Sequence, residues 1–408
     1  MSEIRGRHGF NSLASLSVFV FSAAQVLWVA LFPFLAERLN LALSTVIASF
    51  ALGSFLFVFG SPYWASKSDE YGRGAILSLG LAALFFSFAV LVYLVASPFQ
   101  TVTLNLGFLL LSRIVYGFIA SAIVPVAQAI QADAARSDTI AKAMATHSMS
   151  LGLGRVAGLS LLVLPQVSRE MSYVENVLYF VLAAIGSALF LSLLSARGTL
   201  PSKMARSGND IRARSWFSEL GDIKFVVLIA FLFASFVEAV NSSLAGRIQS
   251  LFQIDGLAAA QWSAKMLLAA SIGIVLVQAV YRASSRSRSR RGLALALGVG
   301  VFALFSGSVL FASARATTEF IIAISFFVIG IGLIPPVYLS LLRSNHKTNR
   351  DGRRAGIVGS AQTLGYAFGA GLSAISFRLG VAETGYILCL IVVGLAITCV
   401  LQTKAASV

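Results

Sequence analysis

Three ionisable side chains stand deep within apolar sequence: Arg113, Arg155 and Glu238 each lie well inside a long hydrophobic run. A charge at the centre of a bilayer costs about 2.5–3.5 kcal/mol on insertion scales, so each needs an internal partner, a wet cavity or a ligand. Glu238 is the only carboxylate well inside such a run, and Ser235, Glu238, Asn241 and Ser242 form a polar stripe at helical spacing. This pattern suits a carboxyl that takes up and releases a proton, with a fixed salt bridge as the competing role. Arg155 lies 12 residues into its run, about 18 Å deep at 1.5 Å per residue, and Gln25 lies similarly deep in the first run. No acid stands at the level of Arg155, so it either meets an anionic substrate, faces water, or serves packing or gating. Arg113 and Glu238 each lie about 10 Å from the outer ends of their runs, a depth at which they could approach each other. Arg113 is therefore either a substrate contact or a structural partner for Glu238 or for backbone carbonyls. Asn241, Gln128 and Gln362 complete the candidate substrate-binding set.

The elements that must position these groups are membrane helices. The chain has 408 residues, 58% hydrophobic and 12% charged, with a mean hydropathy of +0.86, outside the usual soluble range. A spanning helix needs roughly 20 apolar residues, because its backbone must satisfy its own hydrogen bonds in hydrocarbon. Twelve such runs are present, near 13–35, 43–64, 75–96, 106–130, 143–165, 174–195, 223–245, 262–281, 292–312, 319–342, 355–378 and 382–401. The first is too long for a signal peptide and ends at Glu37 and Arg38 without a small-residue cleavage site. The expected fold is thus an all-α membrane protein of twelve transmembrane helices in two six-helix pseudo-repeats. The polar stretch 196–222 reads as a linker between an N-terminal bundle, 1–195, and a C-terminal bundle, 223–408.

The net charge of +15 and the tract "RASSRSRSRR" at 282–291 could suggest nucleic acid. Position argues for the membrane instead. Lys and Arg gather in alternate connections, whereas the opposite ends hold only Arg38, Arg169, Arg247, Lys265, Arg315 and Arg378. That positive-inside asymmetry places both termini and the linker in the cytoplasm and makes the lipid bilayer the partner. His8, His147 and His346 are scattered without metal-ligand spacing. Neither a Walker loop nor a Gly-x-Ser-x-Gly elbow is visible, so no cofactor, metal or enzymatic activity is expected. Cys389 and Cys399, ten residues apart on one helix, are about 15 Å apart and cannot pair.

Internal duplication is visible. "GRVAG" at 154–158 and "GYAFG" at 365–369 are both Gly-x-x-x-Gly and lie 211 positions apart; the same offset carries Pro125 onto Pro336. Such repeats are the arrangement in which transporters place a site between halves and rock around it, while Gly-x-x-x-Gly alone also serves close helix packing.

The stretch "SPYWASKSDEYGRG" at 61–74 is expected to form the cytoplasmic turn between helices 2 and 3. Its Pro62, Trp64, Ser68, Asp69, Gly72 and Arg73 resemble the signature of the major facilitator superfamily, whose pattern runs Gly-x-Leu-Ser-Asp-Arg-x-Gly-Arg-Arg, often after Pro-x-Trp in the drug/proton antiporter branch. Ala65, Lys67, Glu70 and Gly74 depart from it. "RIVYGFIASAIVP" at 113–125 resembles the family's Arg-x-x-x-Gly segment. "GLGRVAGL" resembles the antiporter motif, with Leu159 where proline is expected. The resemblance implies alternating access, with helices 1, 4, 7 and 10 lining a cavity and 3, 6, 9 and 12 facing lipid. It also implies that Asp69, Gly72 and Arg73 latch the cytoplasmic side near the start of helix 11; a carboxylate at a helix N-terminus gains about 0.3–1 kcal/mol.

The expected function is a secondary active transporter of a bacterial cytoplasmic (inner) membrane, monomeric, exporting a small organic molecule against protons. Two membrane arginines against one glutamate favour an acidic substrate, carboxylate-bearing or siderophore-like. An importer or facilitator with the same fold is the alternative, and a transport-inactive scaffold or sensor the remote one.

Overall fold

In their described residues all twelve runs fold as helix, the one regular structure that lets a single segment bond all its own backbone groups away from water. The computed structural model describes residues 2–134, 140–163, 171–196, 214–283, 290–344, 351–380 and 383–405. Most of the 196–222 linker and the centre of the 282–291 basic tract lie outside the described residues. In chain order the spans are 1 (Ser2–Ala30 and Phe32–Arg38), 2 (Leu43–Tyr71), 3 (Arg73–Ala96), 4 (Val102–Phe118, Ala120–Ala122 and Ile123–Ala134), 5 (Ile140–Val163) and 6 (Met171–Ala196). The second six are 7 (Arg214–Phe252), 8 (Gly256–Ala283), 9 (Arg290–Ser313), 10 (Thr317–Ser344), 11 (Asp351–Leu379) and 12 (Glu383–Ala405). Among the described residues ten helices are long and apolar enough to cross a membrane; spans 5 and 11, which carry the Gly-x-x-x-Gly pairs, complete the set.

Two segments differ from the sequence reading. Span 1 breaks at Leu31, and Pro33 falls in the first turn of the short helix that follows, where a missing N–H is tolerated. The stretch 61–74 is not an open turn: span 2 stays helical through Pro62 to Tyr71, and the chain turns only at Gly72, whose φ of +92° disfavours any residue with a Cβ. Helical spacing explains why the polar residues prolong the helix. Lys67 pairs with Glu70 at 2.7 Å, and Trp64 Nε1 donates to Phe118 O at 2.7 Å, tying the extension to span 4.

The chain packs as two compact units, one of Met1–Ala42, Leu52–Ser207 and Asp255–Lys265, the other of Leu43–Ala51, Gly208–Ile254 and Met266–Val408. In the first, spans 1 and 5 touch backbone to backbone. A Cβ on Gly158 would come within 2.5 Å of Ala23 O, one on Gly154 would meet Phe19 O, and Ser22 Oγ donates to Leu151 O at 2.8 Å. In the second, spans 7 and 11 do the same: Gly365 and Gly369 lie against the carbonyls of Phe231 and Ser235, and Ser373 Oγ donates to Ala239 O at 2.9 Å. The core of the second unit is aromatic, with Phe236, Phe311, Phe320 and Phe327 buried at ring separations of 5.2 to 5.7 Å. Span 9 exposes Leu295, Val299, Phe302 and Val309, and span 12 exposes Tyr386, Leu390, Val393, Ile397 and Val400. Each set is one apolar stripe at helical spacing, the face of a helix that meets lipid.

Candidate functional site

The span 1/span 5 seam fixes the height of Arg155. Gly154 lies at Phe19 and Gly158 at Ala23, so Arg155 is level with the middle of the apolar segment Asn11–Ala30. Its side chain is exposed and has no hydrogen bond or ion pair among the described residues. The apolar residues Met149 and Leu153 are exposed on the same helix, but at 3.6 residues per turn they lie about 120° and 160° around the axis from Arg155. Ser148, also exposed, is only about 20° away. Span 5 therefore has two open faces, one apolar and one polar, and Arg155 is on the polar one. Gln25, exposed on span 1, is about one and a half turns from it in height.

Arg113 occupies a different environment. It lies 11 residues from Val102, the start of span 4, about 16 Å in where the run boundary suggested about 10 Å, and is 3% exposed. Its Nη2 donates to Ser87 Oγ at 3.0 Å and to Ser112 Oγ at 2.9 Å, and the guanidinium lies 5.0 Å from the Tyr116 ring centroid. Hydroxyls and a ring face thus solvate this cation from within the first unit. Gln128 is exposed and its Nε2 donates to Met144 Sδ at 3.3 Å, linking spans 4 and 5.

In the second unit Glu238 accepts from Ser242 Oγ, one turn on, at 3.2 Å. Span 7 is longer than the run 223–245 suggests, so Glu238 lies at the middle of the apolar segment Ile223–Phe252, about 21 Å from Phe252 rather than 10 Å from an outer end. Asn241 is half-buried beside it on the stripe. Gln362 on span 11 donates through Nε2 to Tyr338 Oη on span 10, and that tyrosine is buried with its ring 6.2 Å from Phe233. Gln25 and Arg155 are thus exposed polar groups on neighbouring helices of the first unit, and Glu238 and Asn241 share a stripe of the second; Arg113, Gln128 and Gln362 are each engaged elsewhere.

The expected latch residues form a relay. Arg73 Nη2 is 3.2 Å from Asp69 Oδ1, and Arg73 Nε is 2.5 Å from Asp133 Oδ2 at the end of span 4. Gly72 supplies the turn that sets Arg73 between the two acids. Asp133 was not part of the expected latch.

Against this geometry the sequence pattern of the Major Facilitator Superfamily matches residues 13–370. The chain belongs to the Major Facilitator Superfamily. Its members are membrane transporters, and this chain is accordingly a multi-pass membrane protein with a transporter fold. A mutant form of the nucleoside transporter NupG superposes with a TM-score of 0.72 at 12% identity, over 97% of this chain and 99% of that one. A POT family transporter in complex with 5-aminolevulinic acid gives 0.71 at 13% identity, over 98% and 96%. The human organic anion transporter MFSD10 (TETRAN) gives 0.62 at 18% identity, over 97% and 99%. A search of curated proteins finds no match.

Within this superfamily fold, two arginines read from sequence only as loop charges have structural duties. Arg38 closes the end of span 3, Nε donating to Val95 O at 2.7 Å and Nη2 to Ala96 O at 3.2 Å. Arg247 closes the end of span 9, Nη2 donating to Ala312 O at 3.1 Å. Cations at helix C-termini satisfy orphan carbonyls and favour the dipole. Their separation of 209 residues, close to the 211 of the glycine motifs, is the sequence signal that could have found them.

Proposed function

We propose that this superfamily member is a proton-coupled exporter of a small acidic organic molecule, working by alternating access. Arg155 carries the reading: a cation at mid-membrane height, exposed on the polar face of its helix, with no partner among the described residues. Such a charge is tolerated against water or an anion, and a guanidinium offers a planar fork that matches a carboxylate. Gln25, exposed about one and a half turns away in height, offers a second hydrogen-bonding group. Arg113, already solvated by Ser87 and Ser112, shapes the site rather than contacting substrate first. Glu238, at mid-height in the second unit with Ser242 as its donor, carries the proton, and Asn241 contributes a polar contact. Proton and substrate compete for the states that reorient, so differential affinity drives the cycle. Asp69, Gly72, Arg73 and Asp133 bias the cytoplasmic closure. Both termini and the linker face the cytoplasm of a bacterial inner membrane, by the Lys/Arg asymmetry, and the working unit is a monomer. The MFSD10 neighbour is described as an organic anion transporter, in keeping with an acidic substrate.

The test compares metabolites retained by cells lacking and overproducing the protein, then loads sealed vesicles with those that differ under an imposed proton gradient. Acidic metabolites should leave cells that overproduce it and move against protons in vesicles. Accumulation in the opposite sense would assign import, and gradient-independent equilibration a facilitator.

A further inference from the structure

His147, on span 5, is 5% exposed among polar side chains from three helices. Its Nδ1 lies 3.1 Å from Oε1 of Gln131 on span 4. Gln131 Nε2 donates to Ser15 Oγ on span 1 at 2.8 Å, and in this arrangement the carbonyl oxygen is the atom turned to the imidazole. A carbonyl only accepts, so Nδ1 carries the ring proton and Nε2 is left as a basic acceptor. No described residue hydrogen-bonds to Nε2.

A second observation stands at the same height. Asn11 Oδ1 is buried with no donor among the described residues, and Asn11 precedes Ser15 by one turn on the same stripe of span 1. The register that sets Gly154 at Phe19 and Gly158 at Ala23 brings His147 level with residue 12. A buried acceptor without a donor is costly, and neutral His147 has no second N–H to offer.

We propose that His147 is a proton-binding site in the first unit, separate from Glu238. Nε2 takes one proton from hydronium, releasing water and giving an imidazolium whose Nδ1–H stays on Gln131 Oε1 and whose new Nε2–H supplies the donor that Asn11 Oδ1 lacks. No electron or leaving group is involved. The other ionisable groups on the packed helices are distributed around it. Asp133 on span 4 is held by Arg73, Arg155 stands eight residues along span 5, and Tyr173 and Glu175 of span 6 are near its far end, where Tyr173 Oη donates to Leu161 O. Arg5, Arg7, His8 and Lys142 lie outside the described side chains. The site adds a titrating step that Glu238 and Arg155 do not supply, and its test needs no knowledge of the substrate.

The protein has 3 histidines, so His8→Gln with His346→Gln leaves His147 as the sole reporter. Nitrogen-15 histidine labelling of that protein in lipid nanodiscs, followed from about pH 5 to about pH 9, reads tautomer and charge together. The neutral ring should be Nδ1–H by at least about fivefold, the worth of one ordinary hydrogen bond, and should pass to imidazolium in a single titration. Gln131→Leu should erase the tautomer preference while the ring still titrates. A neutral ring protonated on Nε2, or a ring whose charge never changes across the range, would overturn the proposal. Both decisive readouts come from the protein with Gln131 intact, so instability of Gln131→Leu leaves the test whole.

Discussion

Span 5 lies on span 1 as span 11 lies on span 7. Gly154 and Gly158 meet the carbonyls of Phe19 and Ala23, and Gly365 and Gly369 meet those of Phe231 and Ser235. The glycines repeat at 211 residues and their carbonyl partners at 212. Arg38 and Arg247 repeat the cap on the third helix of each half. The side chains beside these contacts do not repeat: the position of Arg155 is Tyr366 in the second half, and that of Glu238 is Val26 in the first. Backbone approach and helix closure are common to both halves because each must build a stable bundle. The charged groups are unique because substrate and proton need different chemistry, and the departures from the repeat mark where function resides.

Erasing those departures should have the largest effect. Glu238→Gln should abolish movement against a gradient under a proton-motive force while leaving exchange between equal compartments, since exchange need not discharge the proton. If Glu238→Gln still concentrates substrate, the carrier lies elsewhere, with His147 and Asp133 the next groups to test. Arg155→Ala should weaken substrate binding by about 10- to 150-fold, the worth of a charge-assisted pair at about 1.5–3 kcal/mol, and Arg155→Lys should recover only part. Binding is read by titration calorimetry with the metabolite found in the export screen. Unchanged affinity in Arg155→Ala would remove the argument for an anionic substrate.

The shared feature is broken at the seams. Gly158→Ala and Gly369→Ala should each cost about 1–3 kcal/mol, because the methyl is driven into a carbonyl of the facing helix that cannot retreat. Gly152→Ala and Gly371→Ala, where a Cβ would meet nothing within 4 Å, should be neutral or gain up to about 1 kcal/mol from helix propensity. Melting of the purified protein in detergent ranks the four. A loss in one seam only would mean that the halves do not share their packing.

Much of this was legible in the sequence, because spans are set by length and hydropathy and the seam by small residues at i and i+4. The Gly-x-x-x-Gly pairs proved to be packing contacts, the plainer of their two readings. Depth was less legible: the polar residues after Pro62 and the residues from 246 to 252 are still helix, so run boundaries misplaced both the turn at Gly72 and the height of Glu238. Partnership was least legible. Arg113 is solvated by Ser87, 26 residues away, and His147 by Gln131, 16 away; neither spacing distinguishes a partner until the helices are packed.

The smallest effect is expected at the Arg73 relay. Its groups are accessible, with side-chain exposures of 50% for Asp69, 27% for Arg73 and 57% for Asp133, and exposed ion pairs are worth about 0–1 kcal/mol each. Asp69→Asn and Asp133→Asn should therefore change turnover by no more than about fivefold each, with substrate affinity nearly unchanged. Arg73→Ala removes both pairs and should approach the sum of the two effects only if they act independently. High salt should shrink all three differences, since screening acts on exposed charges. This separates the relay from Arg155, whose substitution acts on binding. A comparable loss of affinity from Asp69→Asn and Arg155→Ala would instead put substrate at the relay end of the first unit, and the contrast between a balancing group and a binding group would fall.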